Sequence, residues 1–165
     1  MRAPRRNLLA LACTLPVLLA ACGFQLQGRA TLPPVLARVY VQADDAQSDF
    51  TIALRRALRI SGATLVESPA ADAATLRIEL DEWSDRVSSV SARNVPREYE
   101  LTYRVRFALV EAGRERIAAE DLSLTRDLSF DETRALGKQR EREELRTTLA
   151  GELAAVVVQR LASLR

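Results

Sequence analysis

From Tyr99 to Leu109 the chain alternates between apolar and polar positions: Tyr99, Leu101, Tyr103, Val105, Phe107 and Leu109 on one side, Glu100, Thr102, Arg104 and Arg106 on the other. A period of two marks a strand with one buried face. Ala112-Gly113 reads as a turn, and Ile117 to Leu128 as the returning hairpin strand. Its apolar parity slips between Ala119 and Leu122, which predicts a bulge. Upstream, Leu76, Ile78 and Leu80 alternate with Arg77, Glu79 and Asp81, a second strand with one wet face. A short first strand is expected from Leu36 to Gln42, where Val39, Tyr40 and Val41 favour extended backbone. Thr64 to Val66 is a short apolar piece.

Two segments carry the helical period instead. Phe50, Ala53, Leu54, Ala57 and Leu58 recur on one face behind Ser48, a plausible N-cap, so a first helix should end before Gly62. Arg55, Arg56 and Arg59 lie largely off that stripe, as a solvated outer face or as a contact for an anionic partner. A final helix is expected from about Leu136 to Leu164, with Leu145, Leu149, Leu153, Val156, Val157, Leu161 and Leu164 as its core stripe. Its first turns, Lys138 to Glu144, are almost wholly charged and are expected to project beyond the sheet.

The order strand, helix, three or so strands, helix predicts an α+β fold: a two-layer sandwich of a roughly four-stranded sheet with two helices on one face. The other sheet face, with Arg77, Glu79, Glu100, Thr102, Arg104 and Arg106, then needs water or a polar partner.

The first residues follow a different logic. Arg2, Arg5 and Arg6 precede an apolar run from about Leu8 to Leu19, which ends in Leu19-Ala20-Ala21-Cys22. That is the layout of a bacterial lipoprotein signal, with an apolar core far short of the roughly 20 residues needed to span a bilayer. Residues 1–21 are therefore expected to be a signal peptide. Residues 22–34 form a lipidated N-terminus and a linker stiffened by Pro33-Pro34, and residues 35–165 form one α+β domain. Acyl chains on Cys22 would hold the protein on a membrane stably, since two chains already suffice. Gly23 stands where, in well-studied Gram-negative bacteria, an aspartate would favour the inner membrane, which points to the outer membrane facing the periplasm.

Charge and chemistry narrow the function. The formal charge is +2, but three of the 24 basic residues are signal arginines, which leaves 21 against 22 acidic residues. Nucleic acid is therefore an unfavourable partner. Lys138 is the only lysine. There is no histidine, and after lipidation of Cys22 and loss of Cys13 no free thiol. Histidine-dependent triads, cysteine-histidine pairs and the usual zinc sites are thereby excluded. No glycine-rich phosphate loop or nucleophile elbow is present. A carboxylate pair or a serine-lysine dyad is not excluded by composition, but the acidic pairs Asp81/Glu82 and Glu143/Glu144 are neighbours in sequence and read as solvated charges, so no catalytic residue, metal or cofactor is expected.

With these elements in place the chain resembles the LPS-assembly lipoprotein family, LptE. The resemblance runs from Cys22-Gly23-Phe24-Gln25-Leu26-Gln27-Gly28, through the strand-helix order and Glu98-Tyr99 at the start of the long strand, to Ala135-Leu136-Gly137-Lys138 before the last helix. It implies a partner of the outer-membrane β-barrel LptD that sits as a plug in the barrel lumen, helps the barrel fold and assists lipopolysaccharide to the outer leaflet. It also implies two lipopolysaccharide-binding positions, which fall here on Arg93, with Arg97 as its alternative, and on Lys138. A different reading keeps the anchor and fold but makes the protein a periplasm-facing scaffold of another envelope assembly machine. A lipid carrier is disfavoured, because the apolar residues are used up by one strand face and two helix stripes.

Overall fold

The computed structural model describes residues 31–130 and 135–164. The signal segment and Cys22 lie outside the described residues. A single 3₁₀ turn, Pro34–Leu36, precedes β1 (Arg38–Gln42), α1 (Asp49–Ile60), β2 (Thr64–Val66), β3 (Ala74–Val90), β4 (Pro96–Glu111), β5 (Arg114–Ser129) and α2 (Ala135–Ala162). The sheet has five strands in the order β2-β1-β3-β4-β5, one more than expected. The extra strand is Thr64–Val66, which gains its identity by pairing in parallel with β1. So short a segment carries no readable period by itself.

α1 begins as its sequence dictates. Ser48 accepts a hydrogen bond from the Thr51 N–H at 3.0 Å, satisfying one of the first-turn donors that the helix cannot pair internally. Phe50, Leu54 and Leu58 are fully buried. Ser48→Ala should lower the unfolding free energy by about 1 kcal/mol, read from denaturant melts. A change under a few tenths of that would show that the cap is dispensable.

β1 pairs with β3 only over Ala74 to Arg77. The remaining length of β3, paired with β4 and then β5, continues as a three-stranded antiparallel blade. The three strands have 17, 16 and 16 residues. At about 3.3 Å per residue, such strands run to roughly 50 Å. The hairpin β4–β5 turns through Ala112 and Gly113, both at positive φ (47° and 75°). Positive φ at both central residues is what a tight turn needs if it is to match the twist of its strands. β5 does bulge, but earlier than the span from Ala119 to Leu122 that its parity suggested: Phe107 faces Glu120 and Leu109 faces Ile117, so the extra residue sits between Ile117 and Glu120.

A second bulge was not legible in the sequence. Ile78 pairs with Phe107 and Leu80 with Arg106, so the β3 parity slips at Glu79. Asp81, expected on the wet face, instead faces Val105 and joins the helix side of the sheet, while Leu80 moves to the outer side. Two donors meet its carboxylate there. Tyr103 Oη donates to Asp81 Oδ1 at 2.8 Å, and Ser48 Oγ donates to Asp81 Oδ2.

The core lies between the helices and one sheet face, with Val39, Leu76, Tyr103, Val105, Phe107 and Leu109 meeting α1 and α2. Two expectations for α2 need correction. Val156 is 38% exposed, and the buried stripe runs instead through Ala150, Ala154 and Val158 beside Leu149, Leu153, Val157 and Leu161. A straight helix turns slightly less per heptad than a fixed seven-residue repeat demands, so the buried stripe drifts round it. The charged first turns also do not overhang the sheet. They lie along the blade, where Arg142 Nη1 pairs with Asp85 Oδ2 of β3 at 3.0 Å.

Candidate functional site

The far end of the blade gathers the charges singled out from sequence. Between β3 and β4 the chain reverses through Ser91 to Val95, held by Ser91 N–H to Val95 C=O at 2.8 Å, Asn94 N–H to Ser91 C=O at 2.9 Å and Val95 N–H to Ser91 Oγ at 3.1 Å. Asn94 takes the left-handed conformation, φ 61°. Asparagine tolerates that region better than most residues. The result is a tight loop with Arg93 exposed at its apex. Arg97 follows in β4 and is also exposed. It sits at a register shift, since Glu98 faces Ser89 and Pro96 faces Val90, so Arg97 is the unpaired extra residue of β4.

Lys138 stands in the first turns of α2 at the same end. The backbone connects the two regions: Phe130 N–H, just past β5, donates to Arg97 C=O at 2.7 Å. Phe130 packs edge-on against Tyr99, with centroids 5.6 Å apart and planes at 75°. That is a favoured geometry for an aromatic pair. The Arg142 guanidinium lies 4.8 Å above the Tyr99 ring, a cation–π arrangement. Leu128, Phe130, Lys138, Gln139, Arg142 and Glu143 together line a cleft of about 280 Å³.

The cleft has an apolar floor in Leu128 and Phe130 and a rim where Lys138 and Arg142 stand beside Glu143, and its two cations above an apolar floor can meet an anionic group attached to an apolar body. Arg93 does not line it and instead stands at the hairpin apex. Lys138 is more confined than its position in a charged run suggested. Its side chain is 19% exposed and its Nζ is 2.7 Å from Glu141 Oε2, about one helical turn on. An incoming anion must therefore compete with Glu141. Glu141→Gln is expected to raise anion affinity at this cleft by roughly two- to fivefold, the range of a released i,i+3 pair. Titration with phosphorylated ligand would show it, and equal or weaker binding would count against Lys138 as a ligand. Sequence reasoning missed Arg142 and Phe130, although the helical interval from Lys138 to Arg142 already put two cations on one helix face.

The opposite face of the sheet is largely polar, and most of its charges are paired. Arg77 contacts Glu79 and Glu115, both at 3.3 Å. Arg86 meets Glu100 through two bonds of 2.8 and 2.9 Å, and Arg106 reaches Asp121 at 2.7 Å. Thr102 and Thr125 hydroxyls lie 3.2 Å apart. Such exposed cross-strand pairs add little stability singly, but together they give the face a dense array of donors and acceptors. The hydrogen bonds from Arg86 and Arg106 hold the Glu100 and Asp121 carboxyls below their usual range. A depressed carboxyl contributes stability above its unfolded pKa and loses it as pH falls through its folded one. Thermal melts should therefore show a gentle loss on acidification below the ordinary carboxylate range, smaller in high salt. Among the described residues no three or more acidic, cysteine or histidine groups cluster as a metal site would require, and no helix is long and apolar enough to cross a membrane.

The family model for LptE, described as lipopolysaccharide-assembly, matches residues 36–161, the whole sandwich from the turn before β1 to the end of α2. The chain belongs to the LptE family. Relatives agree in extent. The LPS-assembly lipoprotein LptE of Yersinia enterocolitica is 30% identical over 159 residues, 95% of this chain and 76% of its own. Its counterpart in Yersinia pestis is 28% identical over the same shares. Among solved structures, the rare lipoprotein B of Shewanella oneidensis aligns with a TM-score of 0.67 at 28% identity, covering 76% of this chain and 94% of that one. A lipoprotein B of Nitrosomonas europaea gives 0.70 at 27% identity, covering 86% and 91%. The blade end and the polar sheet face are thus features of an LptE-family sandwich.

Proposed function

We propose that this LptE-family chain is an outer-membrane lipoprotein, anchored through acyl chains on Cys22, that plugs an LptD-like barrel, helps that barrel assemble and assists lipopolysaccharide into the outer leaflet. The observation that carries the reading is the paired polar face of the sheet. Large barrels enclose a polar, water-filled lumen. A face studded with Arg86–Glu100, Arg106–Asp121 and Thr102–Thr125 pairs can exchange hydrogen bonds with such a wall without presenting an apolar surface to the periplasm.

The cationic end supports the second half of the proposal. Lipid A and the inner sugar core carry closely spaced anionic groups. Arg93 would bind phosphate through its planar fork and Lys138 as a point charge, with Arg97 the alternative to Arg93. No step of this requires a catalytic residue.

The test is recovery of the tagged protein from solubilised outer membranes. The plug reading requires a large β-barrel in about equal amount. Recovery of the lipoprotein alone, or with a different assembly machine, would replace it by the scaffold reading. Mass measurement of the mature N-terminus checks the anchor in the same preparation, and an unmodified cysteine would remove it.

A further inference from the structure

β2 forms one edge of the sheet. The Thr64 N–H donates to Ala37 C=O at 2.8 Å, towards β1. Successive peptide groups of a strand point to opposite sides, so the N–H and C=O of Leu65 are directed away from β1 into the open edge. Beside them lies a groove of about 410 Å³ between β2 and α1, lined by Ala63 to Glu67, Val41, Arg55 and Arg59.

Among the described residues the arginines of this groove belong to the minority without an ion pair. Ten arginines among the described residues are ion-paired. Arg55, Arg56 and Arg59 are not, among the described residues, and they follow one another along α1. Arg55 has a single long hydrogen bond, 3.4 Å to Val41 C=O. Glu67 is the one carboxylate in the groove lining. In a chain with nearly balanced charge, three arginines along one helix with no ion pair among the described residues make a local field that is positive on balance.

We propose that the β2 edge with Arg55 and Arg59 is a docking site for an extended acidic segment of a partner protein, which adds to the sheet as a strand beside β2 and sets its carboxylates against the two guanidinium groups. Charge complementarity selects the sign of the partner. The strand edge selects a peptide, because the open Leu65 C=O needs a donor as well as its N–H an acceptor, and a fully ionised phosphate offers acceptors only. The site lies on the opposite sheet edge from β5 and does not depend on the lipopolysaccharide reading.

The test uses the full-length protein in detergent and a fluorescein-labelled octapeptide of alternating glutamate and threonine. The same peptide methylated at alternate backbone nitrogens and a lysine-threonine counterpart serve as controls. The acidic peptide should bind and slow hydrogen exchange at the Leu65 amide, and the lysine peptide should not bind. Arg55→Glu with Arg59→Glu should weaken binding at least tenfold, while Arg93→Glu with Lys138→Glu leaves it unchanged. If the double variant on α1 unfolds, Arg59→Glu alone, at an exposed position, should still weaken binding severalfold. Equal binding by the α1 variants, equal binding by the methylated peptide, or competition by inorganic phosphate at the peptide's own concentration would each overturn the proposal.

Discussion

Asp81→Ala is expected to lower the unfolding free energy by about 3 kcal/mol. The carboxylate holds three elements at one point: β3 through its own backbone, β4 through Tyr103 Oη, and the N-terminus of α1 through Ser48 Oγ, which also caps that helix. Tyr103 is 1% exposed and packs against Phe50 and Trp83 with centroids 6.5 and 6.0 Å away. Without Asp81 its hydroxyl keeps its burial and loses its acceptor, an arrangement that costs about 1–3 kcal/mol, beyond the charge-assisted bonds themselves.

Tyr103→Phe removes the stranded donor along with the bond, so it should cost about 1 kcal/mol, and Asp81→Ala made on that background should cost clearly less than on the parent chain. Denaturant melts of the four proteins decide the matter: additive effects, or a loss below about 1 kcal/mol for Asp81→Ala, would remove the carboxylate from any organising role. The tyrosine also gives a pH signature. Burial, then the bond to Asp81, raises its pKa well above the ordinary value of 10.0. A raised pKa means that the folded state holds the proton after the unfolded chain has released it. The contribution is thus complete below about pH 10 and is lost as pH rises beyond it. Tyr103→Phe should flatten that alkaline decline.

Arg93→Glu together with Lys138→Glu is the second large effect, on binding rather than stability. If both cations meet lipopolysaccharide as proposed, reversing them should reduce affinity for it by roughly 10- to 100-fold, on the order of 1.4–3 kcal/mol. Arg93 is exposed at a loop apex, and among the described residues Lys138 is ion-paired with Glu141. The fold should therefore keep its melting point within about 2 °C. Recovery of a barrel partner should be unaffected, because the polar sheet face lies on other strand positions. Unchanged lipopolysaccharide binding would take both residues out of the site. Binding lost only when Arg97→Glu replaces Arg93→Glu would move the loop contact to the irregular start of β4.

The family and the sandwich were legible in the chain because their signals are local. Alternation over Tyr99 to Leu109, the Ser48 cap before a helical stripe and the Ala112-Gly113 turn each arise within a few residues, where side-chain period and backbone preference act directly. The cations Arg93, with Arg97 as its alternative, and Lys138 were named differently, by what the family resemblance implies for their positions.

Their surroundings were not legible in the chain. β2 is a strand only because β1 supplies its hydrogen bonds. The Arg142 contacts with Asp85 and Tyr99 join residues far apart along the chain. The slip at Glu79 is decided by the register against Phe107 and Arg106, and one displaced residue carried Asp81 from water to the helix side of the sheet. The sequence alone thus determined which segments are strands or helices and which faces are apolar, since those follow from neighbouring residues. The tertiary structure decided the register, the fifth strand and the cleft beside Lys138, since these depend on groups that meet only when distant segments pack.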